Sequence, residues 1–243
     1  MDETGRRVTR PVDAAGLVLI RDIGGKPEVL LGRRHGRAGF LPDIYVAPGG
    51  RVDPGDSAPS GFPEPLHPAV AKHLRTGSRG RPALAFARAA IRETFEETGL
   101  LLADAASASA GQDAPWSSFA SAGVAPAFAA LDFVCRAITP TYSKRRYNTR
   151  FFLADGGKAI GTLAGNGELE DLAWRRFDDL GHLTIVDVTE FVLAEALRRW
   201  RRRVPPGREP PRLFCYRGDT ARWRIGDGGT WRAPTPAPLS ATS

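Results

Sequence analysis

The chain has 243 residues, of which 42% are hydrophobic and 25% charged, a composition and length that bury a sizeable core without disulfide or metal staples. No uncharged apolar run approaches the roughly 18 residues a membrane helix needs, and the polar start MDETGRRVTR is unlike a secretory signal, so a soluble cytoplasmic protein is expected. The two cysteines, Cys135 and Cys215, lack zinc-pair spacing and fit unpaired thiols in a reducing compartment, while the net charge of +7, nearly all from arginine, favours anionic partners.

In chain order, residues 14–33 hold two short apolar runs around a Gly24-Gly25-Lys26-Pro27 turn, predicting strand, hairpin and strand. Residues 44–47 predict a third short strand that ends at Pro48-Gly49-Gly50. Residues 54–82 are rich in Pro, Gly and Ser, and about 57–82 read as an insertion forming a surface excursion, interrupted by a short helix over 67–75. Between 83 and 98 the apolar residues Leu84, Phe86, Ala87, Ala90, Ile91 and Phe95 recur at helical period. Gly99 is the expected left-handed cap.

The Ala- and Ser-rich run 103–114 predicts a loop, and 115–123 a short helix. Residues 133–138 and 150–154 read as strands joined by the basic turn TPTYSKRRYN. Leu169, Leu172 and Trp174 mark a further strand, 189–200 an amphipathic helix, and RLFCYRGDTARWRI a terminal hairpin. One domain over 1–232 is expected, with a disordered tail over 233–243.

The most informative segment is Arg92-Glu93-Thr94-Phe95-Glu96-Glu97-Thr98-Gly99-Leu100, on the last turns of the 83–98 helix. Glu93, Glu96 and Glu97 stand at i, i+3 and i+4, on one face, with β-carbons about 5–6 Å apart. On an arbitrary helix such a cluster is most often a solvated acidic face. Here it sits at the helix C-terminus, where the macrodipole disfavours anions, so a compensating cation is called for. Hard oxygen ligands suit Mg²⁺ or Mn²⁺, which can bridge to a pyrophosphate. The loop from Gly49 to Asp56 follows a strand and adds exposed carbonyls and the carboxylates of Asp53 and Asp56.

These residues resemble the signature of the Nudix hydrolases: Gly50, Arg92, Glu93, Glu96, Glu97, Gly99 and Leu100 match it. Asp56 stands where the family usually has Glu, and Thr94 stands at an apolar position. Between Asp56 and Arg92 lie 35 residues instead of the family's seven, a lengthening that a surface loop absorbs at modest closure cost. A signature interrupted here resembles the CoA and acyl-CoA diphosphatase branch, as do Tyr45-Val46-Ala47-Pro48-Gly49-Gly50, Ile138-Thr139-Pro140 and Thr149-Arg150-Phe151-Phe152.

The resemblance implies an α/β protein, a Nudix-type α/β/α sandwich with a mixed β-sheet and an insertion between the Gly-rich loop and the catalytic helix. It implies Mg²⁺ or Mn²⁺ as cofactor, with Glu96 and Glu97 as principal ligands assisted by the Gly49 carbonyl. Glu93 becomes a further ligand or the base that activates water, and Arg92 orients the carboxylates. An additional acid commonly comes from a loop outside the signature, for which Glu168 and Glu170 are the candidates.

For substrate contact, Lys144, Arg145 and Arg146 lie in a turn flanked by Tyr142 and Tyr147, a combination suited to phosphates beside an aromatic ring. Arg33, Arg34, His35 and Arg37 are a second cationic group, of a kind that can meet a 3′-phosphate or pyrophosphate. Three functions stay open at this point. One is a metal-dependent diphosphatase of CoA or acyl-CoA. Another is the same chemistry on ADP-ribose, NADH, dinucleoside polyphosphates or nucleotide sugars. The third is a non-catalytic nucleotide- or RNA-binding Nudix-fold protein, which has no need to retain the repulsive cluster. The expected partner is a small-molecule pyrophosphate, with no membrane and no nucleic acid, and a homodimer stays open.

Overall fold

A computed structural model describes residues 8–39, 41–78, 80–105, 115–217, 220–226 and 228–233. Strand β1, Val12–Ile23, has Leu17, Val18, Leu19 and Ile20 all fully buried, the continuous apolar run of a strand covered on both faces. Gly24 and Gly25 follow with φ of 62° and 80°, as a tight two-residue hairpin requires, and β2, Lys26–Arg34, returns antiparallel. Strand β3, Tyr45–Val46, pairs with β2, and β4, Gly49–Arg51, pairs with the first half of β1. A 3-10 turn at Pro54–Ser57 then leads into helix α1, Pro68–Arg75. Helix α2 spans Ala83–Thr98, and Gly99 caps it at φ 74°, in agreement with the periodicity.

Strand β5, Leu101–Ala105, helix α3, Trp116–Ser121, and strand β6, Val124–Pro126, come next. They are followed by β7, Asp132–Ile138, β8, Tyr147–Asp155, and β9, Ala159–Ile160. The chain closes with β10, Leu169–Arg176, α4, Asp187–Arg201, β11, Arg212–Arg217, and β12, Thr220–Ile225. The main sheet runs β10-β2-β1-β8-β7-β11-β12, with β3 and β4 attached to β2 and β1. It is mixed, because β1 with β8 and β7 with β11 are parallel pairs and the others antiparallel. One face buries Phe86, Ala87, Ala90 and Ile91 of α2; the other buries Val192, Leu193, Ala196 and Leu197 of α4. The result is a three-layer α/β/α sandwich.

Two expectations are corrected. Part of the predicted loop from Ala103 is strand: β5 pairs with β6 and β9 in a small second sheet, since backbone ladders form there despite low strand propensity. Residues 106–114 and 234–243 lie outside the described residues. The segment 57–82 is no loose surface excursion, because Phe62, Val70 and Leu74 are buried in the α2-side core. Val70 and Leu74, four apart on α1, form one apolar face.

Buried charge links α4 to the sheet. Arg199, fully buried, donates to Glu195 at 2.9 Å, to Asp132 at 2.8 Å and to the Pro210 carbonyl at 2.8 Å. Replacing one member of such a network strands the others without compensation. Arg199→Met is therefore expected to lower the urea-unfolding free energy by about 3–5 kcal/mol. A change within about 0.5 kcal/mol, typical of a surface site, would show that the network carries no such weight.

Candidate active site

The site begins where β4 crosses β1. A Cβ on Gly49 would stand 2.5 Å from the Ala15 carbonyl oxygen and 2.6 Å from Gly16 Cα, so only glycine allows this approach. A Cβ on Gly50 would overlap the Glu93 carboxylate, which places Glu93 directly against the glycine loop. The last turns of α2, a helix packed on β1, deliver Arg92, Glu93, Glu96 and Glu97 to this point.

Arg92 organises the acids. Its Nε and Nη2 donate to the two carboxylate oxygens of Asp56, both at 2.9 Å, and Nη2 also donates to the Arg51 carbonyl at 2.9 Å. Its Nη1 donates to Glu93 Oε1 and Glu96 Oε2, each at 2.9 Å. Asp56 is 4% exposed and further accepts from the Asp53 amide at 2.8 Å. Asp56 and Arg92, with 35 residues between them in sequence, are thus joined by a two-pronged, charge-assisted contact. Thr94, at the nominally apolar position, is fully buried and satisfies its hydroxyl by donating to the Ala90 carbonyl at 2.7 Å.

Glu97 accepts instead from the Gly49 amide at 2.8 Å. Burial pushes its carboxyl up to about 8, helped by the charges of Glu93 and Glu168 and opposed by the Gly49 hydrogen bond and Arg34. Burial likewise raises Glu93 to about 7, against the pull of Arg92 and with the push of Glu96 and Glu168. Among the described residues no three acid, imidazole or thiol groups stand in a metal-holding arrangement. Glu93 and Glu96 are drawn onto Arg92, while Glu97 is turned onto the loop amide. The donor set nevertheless fits a hard divalent cation, because it consists of carboxylate oxygens whose ionised forms are short of compensating charge.

These groups line one side of a cavity of about 800 Å³. Of the sequence candidates, Gly49, Arg92, Glu93, Glu96, Glu97, Glu168, Arg34, Arg145, Tyr142 and Tyr147 line it. Glu170 does not; it accepts from Arg33 at 2.6 Å, and Arg33 also donates to Asp43 at 3.0 Å. Arg37, Lys144 and Arg146 also lie outside the lining, Arg146 donating to the carbonyls of Thr139 and Thr9. Sequence reasoning passed over Arg51, whose position directly after Gly49-Gly50 was the available signal, and Asp187 and Tyr216, which meet through a 2.5 Å hydrogen bond at the far wall. Arg34, Arg51 and Arg145 pair with no carboxylate among the described residues.

No family model matches the chain, and no curated protein matches it. Among solved structures, a NUDIX hydrolase from Alicyclobacillus acidocaldarius is 29% identical over 78% of this chain and 92% of its own, with a TM-score of 0.58. A MutT NUDIX hydrolase from Burkholderia pseudomallei is 19% identical, covering 77% of this chain and 98% of its own at a TM-score of 0.45. The NUDIX domain of Shewanella oneidensis NrtR, complexed with ADP ribose, is 13% identical over 82% and 94% at 0.45. The architecture is the Nudix hydrolase fold. The structure that it matches at 29% identity belongs to the Nudix hydrolases, which are pyrophosphohydrolases that generally use divalent metal ions.

A carboxyl whose folded pKa lies above its unfolded one destabilises the fold once ionised, and the cost grows as pH rises towards 8 and is complete above it. Glu97→Gln keeps the acceptor for the Gly49 amide and removes the charge. In the absence of divalent cations the variant is expected to melt above wild type at about pH 9 and level with it at about pH 4. Equal melting temperatures at both values would mean that Glu97 is not strained by burial.

Proposed function

We propose that the protein is a divalent-cation-dependent diphosphohydrolase that cleaves the pyrophosphate linkage of CoA or acyl-CoA. The observation that carries the hydrolase chemistry is the Asp56–Arg92 contact, which reunites an interrupted signature beside the glycine loop. The substrate class rests on the branch resemblance of that interruption, and the cations of the cavity wall, which pair with no carboxylate among the described residues, support it. CoA presents a pyrophosphate and a separate 3′-phosphate, and Arg34, Arg51 and Arg145 are three guanidinium groups on the cavity wall.

In this reading Glu96 and Glu97, with the Gly49 carbonyl, hold the cation, and Glu93 is a further ligand or the base that takes the proton from water. When bound, Mg²⁺ or Mn²⁺ neutralises the non-bridging phosphate oxygens and positions the nucleophile. Arg92 keeps Glu93 and Glu96 oriented, and Glu168 supplies the additional acid. Arg145, with Tyr142 and Tyr147 beside it in the cavity wall, meets the phosphoadenosine portion. The products are adenosine 3′,5′-bisphosphate and the 4′-phosphopantetheine portion.

The test compares kcat/KM for CoA, dephospho-CoA and ADP-ribose under one metal condition, Mg²⁺ and Mn²⁺ in turn. CoA is expected to exceed dephospho-CoA by about one to two powers of ten, the worth of a charge-assisted contact of about 1.5–3 kcal/mol. Equal values for those two would remove the 3′-phosphate argument, and a preference for ADP-ribose would overturn the substrate assignment. Glu97→Gln is expected to reduce turnover to background with the fold intact; wild-type turnover at saturating metal would exclude Glu97 as a ligand.

A further inference from the structure

One turn before Arg92, helix α2 carries a second arginine that the reaction chemistry leaves without a role. Arg88 is 4% exposed. Its Nε and Nη2 donate to the two carboxylate oxygens of Glu64, at 2.7 and 2.5 Å, and its Nη1 donates to the backbone carbonyl of Asp56 at 2.9 Å. Glu64 is itself nearly buried and accepts from the Ser60 amide at 3.0 Å. Asp56 is therefore gripped twice by the same helix, at its carbonyl by Arg88 and at its carboxylate by Arg92.

A buried ion pair is weak support for stability, because apolar side chains of similar volume often do as well. Nor is the pair needed to tether the 57–82 segment, which Phe62, Val70 and Leu74 already anchor in the core. What an apolar replacement could not supply is a donor for the Asp56 carbonyl. Freed there, Asp56 can shift against Arg92, and any shift of that guanidinium moves Glu93 and Glu96, which share its Nη1.

We propose that Glu64 and Arg88 are positioning residues of the catalytic centre, fixing the Asp56 backbone so that Arg92 presents Glu93 and Glu96 in working geometry. This rests on the hydrolase reading above and extends it to residues within and beside the segment that interrupts the signature. The contacts run from Glu64 through Arg88, Asp56 and Arg92 to the acids. Segment 57–82 thus contributes to the site without lining the cavity.

The experiment uses the full chain with the double substitution Arg88→Met and Glu64→Leu, which removes both charges together and leaves neither buried unpaired. Such outer partners of metal-site ligands are worth about ten- to a hundredfold in activity or metal affinity. The double variant is expected to fold and to lose kcat by that factor while KM stays within about twofold, the pattern of a lost transition-state interaction. Mn²⁺ half-saturation, read by electron paramagnetic resonance without substrate, is expected to weaken by a similar factor. Arg88→Lys, which can reach the Asp56 carbonyl but not fork onto Glu64, should recover part of both.

A folded double variant with wild-type kcat and wild-type Mn²⁺ half-saturation overturns the proposal, whatever its melting temperature. If the double variant does not fold, Glu64→Gln decides by the same two readouts, and wild-type values for both overturn it. The Mn²⁺ measurement needs no substrate. A wild type that binds Mn²⁺ yet leaves CoA intact therefore refutes the substrate assignment, while the binding arm still decides on the pair.

Discussion

Everything at this site depends on one guanidinium. Arg92 is the cation shared by Asp56, Glu93 and Glu96, and it also satisfies the Arg51 carbonyl. Taking an arginine largely out of water is expensive, and the cost is met here by several charge-assisted bonds in a fork geometry that lysine could not reproduce. Its effect is to convert a repulsive run of acids at a helix C-terminus into an ordered group facing the glycine loop. Glu97, the acid of the cluster that it does not reach, is the one whose carboxyl burial raises furthest, to about 8.

The fold exists to bring that helix end and that loop together. Strand β1 is buried on both faces, receives β4 along its first half and carries α2 on one side, so Gly49-Gly50 and the last turns of α2 meet over Ala14 to Gly16. Helix α4 covers the opposite face, and its first turns help close the cavity. The close approach of β4 to β1 leaves no room for a side chain at Gly49. A small backbone constraint therefore sets the position of the Glu97 acceptor.

Much of this was legible in the sequence where the signal was local. The 83–98 helix has an unbroken 3.6 period and a glycine cap, and the structure reproduces both ends. The hairpin at Gly24-Gly25 carried its own turn chemistry. Composition misled over 57–82, where Pro, Gly and Ser hid the three apolar residues that reach the core. Strand β5 was lost because its ladder depends on partners far along the chain rather than on its own residues. Pairings such as Arg33 with Glu170, 137 residues apart, leave no sequence trace, so two candidates for different roles turned out to occupy each other. Asp56 and Arg92 could be matched only through a motif, and Arg88 with Glu64 could not be matched at all.

The central claim is that Asp56 and Arg92 act as one unit across the segment that separates them. A double-mutant cycle on kcat/KM with Asp56→Asn, Arg92→Gln and the pair tests it directly. The account predicts strong non-additivity, with a coupling of about 1.5–3 kcal/mol, so that the second substitution adds little once the first is made. Effects that add to within about 0.5 kcal/mol would mean that the two residues work independently, and would contradict it.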